Sequence, residues 1–191
     1  MELLEKTRNL LLEHYKNGNS DRLNHIFGVE EMAAYLAKIY NVDEQKARIA
    51  ALMHDYCKYD DYKKIEEMLT EDEIVECRYY PFLYHAYGSA YTYKKLIGDD
   101  NDIFNAIYNH VFGRCGMSKL EEIIMISDYT EKNRKYEDCI KAREILLKGN
   151  LYEAIVYSLE HTMLHVVKNG ENPHPRQLAV YNEYLEKIGV K

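Results

Sequence analysis

Proline and glycine are scarce in this chain, which has only 3 and 9 of them among its 191 residues. Because both residue types interrupt helices, their scarcity allows long helices to run with few breaks. Apolar runs are short as well, since none approaches the ~18 residues that a membrane-spanning helix needs. Residues 1–6 begin an amphipathic helix and do not resemble a secretory segment. These absences argue against a membrane protein.

Cysteine is also infrequent. The four cysteines are widely and unevenly spaced, and they are Cys57, Cys77, Cys115 and Cys139. No C-x-x-C pair occurs among them. Such spacing, without a secretory segment, is typical of reduced thiols and predicts a cytoplasmic protein.

Positive charge is in deficit. The chain has 25 lysines and arginines against 32 aspartates and glutamates, a formal net charge of -7, and no basic run that resembles a nucleic-acid patch. We therefore expect no binding to long nucleic acids. A few basic side chains in one cleft could still hold a small phosphate compound.

The composition that is present suits a globular protein, with 47% hydrophobic and 30% charged residues. The length fits one domain. Residues 20–40 carry an apolar stripe at three- and four-residue steps, with Ser20 as the predicted N-cap and Asn41 at the end. Asp43 is predicted to cap a second helix, from Glu44 to about Tyr56, which is apolar almost all round. We expect that helix at the centre of the fold.

Capping boxes at Thr70 with Glu73 and at Ser118 with Glu121 mark two later helix starts. Further helices are predicted at about residues 83–97, 102–111, 119–131, 137–148, 151–168 and 176–188. No long segment alternates with period two, so a sheet is not expected. The sequence predicts an all-α helical bundle.

The dipeptide His54-Asp55 lies at the end of the most buried predicted helix. Adjacent side chains on a regular helix point about 100° apart, but at a helix end both can converge on one ion. An imidazole nitrogen with a carboxylate oxygen suits iron, manganese, zinc or nickel. His54 and Asp55 are therefore candidate metal ligands.

Other residues of the same types occur along the chain. His25 shares the apolar stripe of its helix, and Asp128 ends the apolar run of residues 123–126. A carboxylate in such surroundings is costly to bury unless it is paired or binds a metal. His85 and His110 each lie in a separate predicted helix. Together these side chains could form one site in the core of a bundle.

The order His, His-Asp, His, His, Asp resembles that of the HD-domain metal phosphohydrolases, and more closely that of the bacterial YqeK-type family. The segments that carry the resemblance are residues 22–29 (RLNHIFGV), 54–58 (HDYCK), 110–114 (HVFGR), 126–134 (ISDYTEKNR) and 172–175 (NPHP), the last with Tyr181 and Asn182. It implies a single HD domain over residues 1–191, with the core metal-binding motifs in about 20–134 and C-terminal helices in about 137–188. It also implies symmetrical cleavage of diadenosine tetraphosphate into two ADP by a metal-bridging hydroxide.

The resemblance implies a role for each matched position. One metal, usually iron, would be held by His25, His54, Asp55 and Asp128. A second metal would share Asp55 and be held by His85 and His110. The chain departs from the family at Val111, where relatives often have threonine, and at Tyr87 and Ser89, which replace a common proline and glycine.

Two metals ~4 Å apart would lower the pKa of a bridging water. We expect Asp55 and Lys58 to act in catalysis. Lys58, three residues after Asp55, and Arg22, three residues before His25, are candidates to bind phosphate oxygens. Arg114 and Arg134 are further candidates for the same role.

Other tempting residues are given plainer interpretations. His161 and His165 have a metal-capable spacing but match no ligand position, so we expect them to pack or to face solvent. Most of the 19 tyrosines, such as Tyr87 and Tyr91, are expected in the core and at its rim, although one or two near the metals could stack a purine.

Three alternatives to a diadenosine tetraphosphate hydrolase are left open. One is an HD hydrolase of another nucleotide, such as a guanosine polyphosphate or a dNTP. Another is a di-iron oxygenase, which the charges of Lys58 and Arg22 disfavour because a neutral substrate needs no such charge. The third is a non-catalytic nucleotide-binding regulator. A homodimer is also compatible with the sequence.

Overall fold

The computed structural model describes residues 2–190, which form eleven helices and no strand. The helices are α1 (Glu2–His14), α2 (Ser20–Ile39), α3 (Glu44–Met53), α4 (Tyr62–Glu66), α5 (Glu71–Tyr79), α6 (Leu83–Leu96), α7 (Asn101–Tyr108), α8 (Lys119–Thr130), α9 (Glu137–Leu147), α10 (Leu151–Lys168) and α11 (Pro175–Lys187). The predicted all-α class is confirmed. No helix within this range combines the length and apolar character that crossing a bilayer requires.

Helix α3 lies at the centre of the bundle, as its sequence predicts. It packs against α1, α2, α6, α7 and α8, and the side chains from Ile49 to Met53 are almost completely buried. A helix that is apolar all round can only be stable with neighbours on every side. Helices α2 and α8 also pack against each other, so α2, α3 and α8 are in mutual contact.

Helix starts follow the sequence signals with one exception. Asp43 caps α3 by accepting hydrogen bonds from the amides of Gln45 and Lys46 at 2.8 and 3.1 Å, and both predicted capping boxes are formed. Ser20, however, is the first residue inside α2 and not its N-cap. Asn19 occupies the cap position in the left-handed conformation, at φ 75°, which asparagine tolerates better than most residues.

Two helices end earlier than predicted. Helix α3 ends at Met53, and the following residues form turns. In that turn the hydroxyl of Tyr15 donates to the carbonyl of Asp55 at 2.9 Å, and the amide of Cys57 donates to the hydroxyl of Ser89 at 3.0 Å. These partners replace the helical hydrogen bonds, so the backbone is satisfied without another helical turn.

Helix α7 likewise ends at Tyr108, which places His110 in a turn and not inside the predicted helix 102–111. The side chain of Asn109 donates to the carbonyl of Asn105, and Gly113 has a left-handed backbone conformation at φ 69°. An L residue with a side chain would be strained at that φ.

The C-terminal helices pack on the face of the bundle that α8 forms, since α9 and α10 both contact α8 and α11 contacts α10. His174 begins α11 by accepting a hydrogen bond from the amide of Arg176 at 3.0 Å. Its ring is stacked on Phe112, with centroids 4.7 Å apart, and lies 4.3 Å from the ring of Tyr80. Its Nε2 atom lies 3.1 Å from a carboxylate oxygen of Glu76.

The cysteines are free, with Cys57, Cys77 and Cys139 buried and Cys115 exposed. This agrees with the prediction of reduced thiols.

Candidate metal centre

The structure brings all six predicted ligands together at the core of the bundle. They form three overlapping groups in which the candidate ligand atoms lie within 4.8 Å of one another. The groups are His25, His54 and Asp55; His54, His110 and Asp128; and Asp55, His85 and His110. The residues come from α2, α6, α8 and the turns that follow α3 and α7.

Asp55 lies between two sets of histidines and presents a different oxygen to each set. Its Oδ2 atom is 3.7 Å from Nε2 of His25 and 3.6 Å from Nε2 of His54. Its Oδ1 atom is 3.0 Å from Nε2 of His85 and 3.9 Å from Nε2 of His110. One carboxylate with this arrangement could bridge two metal ions.

Backbone carbonyls fix the orientation of the His54 and His110 rings. Nδ1 of His54 donates to the carbonyl of Ala51 at 2.6 Å, and Nδ1 of His110 donates to that of Ile107 at 2.7 Å. A proton held on Nδ1 leaves the lone pair on Nε2 free, and that atom points into the cluster. Hydrogen bonds of this kind fix metal-binding histidines in many proteins.

Two buried nitrogens test whether a metal fits. Within residues 2–190, Nε2 of His25 and Nε2 of His54 are buried and make no hydrogen bond. Oxygens of Asp55 and Asp128 lie 3.0 to 3.9 Å from them. A nitrogen lone pair that faces a carboxylate oxygen is stable with a proton or a metal ion between them, and a set of nitrogen and oxygen donors suits a transition metal. The residues therefore fit a metal.

The ionisation states of Asp55, His85 and His110 agree with this fit. Burial would raise the pKa of Asp55, but His54, His85 and Lys58 hold that pKa well below its usual value. Burial lowers the pKa of His85 and that of His110 to about 4. Near neutral pH the carboxylate is therefore ionised and these two imidazoles are neutral, the forms in which both bind metals.

Three of the four basic candidates lie at the cluster. Nη1 of Arg22 donates to Oδ2 of Asp55 at 2.5 Å, and Nη2 of Arg134 donates to Oδ1 of Asp128 at 2.8 Å. Nζ of Lys58 is 3.6 Å from Oδ1 of Asp55. All three side chains are partly exposed, so their charges contact the cluster and remain accessible from solvent.

Arg114 is placed differently. Its Nε and Nη2 atoms donate to the two carboxylate oxygens of Glu121 at 2.6 and 2.7 Å. Glu121 also accepts a hydrogen bond from the side chain of Asn109 at 3.0 Å. These contacts do not bring Arg114 to the cluster; they connect it to the turn that carries His110.

Sequence reasoning missed Glu131, which lies behind His25. Its Oε1 atom accepts a hydrogen bond from Nδ1 of His25 at 3.2 Å, and its Oε2 atom accepts one from the amide of Asn133 at 2.6 Å. The glutamate is almost fully buried. A signal was present, because Glu131 follows Asp128 by three residues in the same motif. Tyr15 and Ser89, which support the turn of Asp55, left no such signal.

The two histidines that we expected outside the site are indeed elsewhere. His161 Nδ1 lies 2.8 Å from the carbonyl of Tyr157, and His165 contacts Asn169, all on or at the end of α10. Tyr87 is completely buried, as expected for a core residue.

Comparison with known proteins agrees with this geometry. The HD domain family matches residues 22–133. The chain is 39% identical to the symmetrical bis(5'-nucleosyl)-tetraphosphatase of Halalkalibacterium halodurans, over 86% of this chain and 89% of that protein. It is 32% identical to the protein of the same name from Bacillus subtilis, over 95% of each.

A solved structure is also similar. It is described as a predicted HD superfamily hydrolase involved in NAD metabolism from Clostridium acetobutylicum. Its TM-score is 0.83 at 33% sequence identity, and the match covers 96% of this chain and 97% of that one. The fold, the cluster and the relatives agree, and the chain therefore belongs to the HD-domain family of metal-dependent phosphohydrolases.

Proposed function

We propose that this enzyme cleaves diadenosine tetraphosphate at its centre and releases two molecules of ADP. The observation that carries the proposal is Asp55, whose two oxygens face two separate sets of histidines. Such a carboxylate can hold two metals side by side, the arrangement used for displacement at phosphorus. The names of the relatives support the substrate.

The ligand assignment is part of the proposal. One metal would be held by His25, His54, Asp55 and Asp128. The other would be held by His85 and His110, with Asp55 shared. Iron is the proposed metal, and manganese, nickel and zinc accept the same nitrogen and oxygen donors. When bound, the pair supplies Lewis acidity and a water of lowered pKa.

The chain's own charges determine where the substrate is cut. Arg22 contacts Oδ2 of Asp55, whereas Lys58 lies nearer Oδ1. Cations on both sides of the bridging carboxylate can bind phosphates on both sides of the bond that breaks, and they stabilise the charge that develops there. We therefore assign them to the middle of the polyphosphate, so that each leaving group is a diphosphate. Arg134 would contribute from the side of Asp128.

The proposal extends to the whole chain as one unit. Helices α9 and α10 pack directly on α8, which carries Asp128. We accordingly treat residues 1–191 as a single domain. The four free thiols support the cytoplasmic location that we expected from the sequence.

Chromatography of the first products tests the reaction. The protein would be loaded with iron under anaerobic conditions and offered diadenosine tetraphosphate, a guanosine polyphosphate and a dNTP side by side. ADP as the only nucleotide product from the first substrate is expected. AMP with ATP would contradict central cleavage, and release of phosphate products from only the other nucleotides would favour a different hydrolase. No phosphate product from any substrate would favour the oxygenase or the regulator.

A further inference from the structure

A cleft of about 700 Å³ opens beside the metal centre. His25 and Arg22 line it, so it is continuous with the cluster on the Oδ2 side of Asp55. Arg134, Tyr59 and Tyr136 also line it. Lys58 and His85, which face the other oxygen of Asp55, are not part of its wall. The cleft therefore extends away from one side of the bridging carboxylate only.

The two tyrosines of the cleft are largely exposed. The side chains of Tyr59 and Tyr136 are 58% and 71% accessible, whereas Tyr87, Tyr93 and Tyr184 are completely or almost completely buried. An aromatic ring left in water within a cleft is available to a ligand, because covering it is favourable.

The position of each ring is set by its surroundings. Tyr59 belongs to the turn that follows Asp55, and its hydroxyl accepts a hydrogen bond from Nη2 of Arg22 at 3.4 Å. The guanidinium carbon of Arg22 lies 5.6 Å from the centre of that ring. Tyr136 occupies the N-cap position of α9 without capping the helix through its side chain. Neither ring is needed to fill the core.

Charge and aromatic surface therefore lie together in the cleft. Arg22 contacts both Asp55 and Tyr59, Arg134 contacts Asp128, and Tyr136 lines the same cleft. A nucleoside diphosphate has matching groups, with phosphates that suit the guanidinium groups and a flat base that suits the rings.

We propose that this cleft is a nucleoside subsite, in which a nucleobase packs against Tyr59 and Tyr136 while Arg22 and Arg134 bind its phosphates. The inference rests on the proposed function and names where one of the two nucleosides binds. Stacking accepts any base, because every base has a π face, and a purine covers more of a ring than a pyrimidine does. The subsite selects for a nucleoside with weak preference among bases.

Binding calorimetry with two probes tests the subsite. Metal-loaded protein is titrated with ADP and, separately, with inorganic pyrophosphate, which has the phosphates but no base. Tyr59→Ala and Tyr136→Ala are each expected to weaken ADP binding by about tenfold, the effect of losing one stacked base. Pyrophosphate binding is expected to stay within about twofold of wild type, because the arginines remain.

Two further variants serve as controls. Tyr59→Phe retains the ring and loses only the hydroxyl contact with Arg22, so it should bind ADP as wild type does. Tyr79→Ala removes an even more exposed tyrosine from α5, outside the cleft, and should change neither titration.

Each other outcome overturns the inference. Equal loss for ADP and pyrophosphate in the alanine variants would show that the tyrosines only position the arginines. Loss of ADP binding in Tyr59→Phe would assign the effect to the hydroxyl. Unchanged ADP binding in both alanine variants would show that no base binds there, and so would a wild-type protein that does not bind ADP. The proposed function fails separately, because it requires product formation and these titrations do not.

Discussion

Asp55 is one side chain that serves both halves of the cluster. Replacing it with asparagine keeps its shape but removes the negative charge that both sets of histidines face. We expect Asp55→Asn to reduce the bound metal to one ion or fewer and to lower turnover by at least about a hundredfold, because the two metals would no longer act together. Elemental analysis and a product assay measure the two effects.

His161→Ala is the matched control, since this histidine lies on α10 and contacts Tyr157. It should retain metal and activity. Full metal content and normal turnover in Asp55→Asn would show that the carboxylate does not bridge.

Unlike the candidate ligands, Arg22 and Lys58 should not be needed for metal binding. Arg22→Ala and Lys58→Ala are expected to retain bound metal while turnover or affinity falls about tenfold or more. Losing a charge-assisted contact costs about 1.5–3 kcal/mol, and each 1.36 kcal/mol is a factor of ten. Steady-state kinetics measure the loss.

Lys141→Ala is a suitable control, since Lys141 is an exposed lysine of α9 that pairs with Glu144. Wild-type kinetics in both test variants would show that the two cations do not meet the substrate.

At the scale of elements, α2 and the end of α8 approach each other closely behind His25. A Cβ atom built on Gly28 would collide with the carboxylate of Glu131, the group that holds Nδ1 of His25. Gly28→Ala should therefore displace Glu131 and weaken metal binding by about 10- to 100-fold, the usual effect of losing such a partner. Competition with a chelator measures the affinity.

Glu131→Gln removes the charge without the collision and should weaken metal binding to a smaller extent. Gly98→Ala, whose Cβ would meet only the side chain of Tyr93, at 3.3 Å from its hydroxyl oxygen, is the control for a general effect on folding. Unchanged metal affinity in Gly28→Ala would show that Glu131 can move without consequence.

The order of the helices was predictable because the signals that start each helix lie in its own stretch of sequence. Apolar spacing and the capping residues Asp43, Thr70 and Ser118 lie within a few positions of the helices that they begin. The early end of α3 was not predictable, because its cause is distant. Tyr15, directly after α1, and Ser89, in α6, form the hydrogen bonds of that turn. No pattern in the sequence near α3 shows which distant tyrosine or serine will contact it.

The candidate site shows the same division. The convergence of the six predicted side chains was expected from residue types and from the resemblance to a family; their role as metal ligands stays a prediction. Arg114 belongs to the motif of residues 110–114 and was a candidate to bind phosphate, yet it pairs with Glu121. A motif fixes where a residue stands in the chain, whereas the partner of a long side chain depends on which opposite charge lies within its reach.

At the scale of the whole molecule, burial of neutral histidines should make the metal-free protein sensitive to acid. Burial lowers the pKa of His54, and it lowers the pKa of His85 and of His110 to about 4. Between about pH 6.5 and 4 the unfolded chain therefore binds protons that the folded protein does not. His25 opposes the trend, because Asp128 and Glu131 outweigh its burial and raise its pKa.

Burial also lowers the pKa of His174. Four lowered values against one raised value predict that the free energy of unfolding falls as the pH falls from 7 to 4. Urea unfolding at several pH values, with a chelator present, measures it. A constant or rising free energy of unfolding would contradict the prediction. Substituting asparagine for both His85 and His110 should make the dependence shallower, because neither group can then take up a proton on unfolding.

The position of His174 late in the chain affects the order in which the packing around the cluster can form during synthesis. The ring stacks on Phe112, two residues after His110, and contacts Tyr80, which precedes His85 by five residues. The start of α11 therefore packs against the two segments that carry His85 and His110. A ribosome adds on the order of 5–20 residues per second and makes all six cluster residues before it makes His174. A nascent chain would thus contain every candidate ligand before His174 is added, and the packing of Phe112 and Tyr80 against that ring would be completed last.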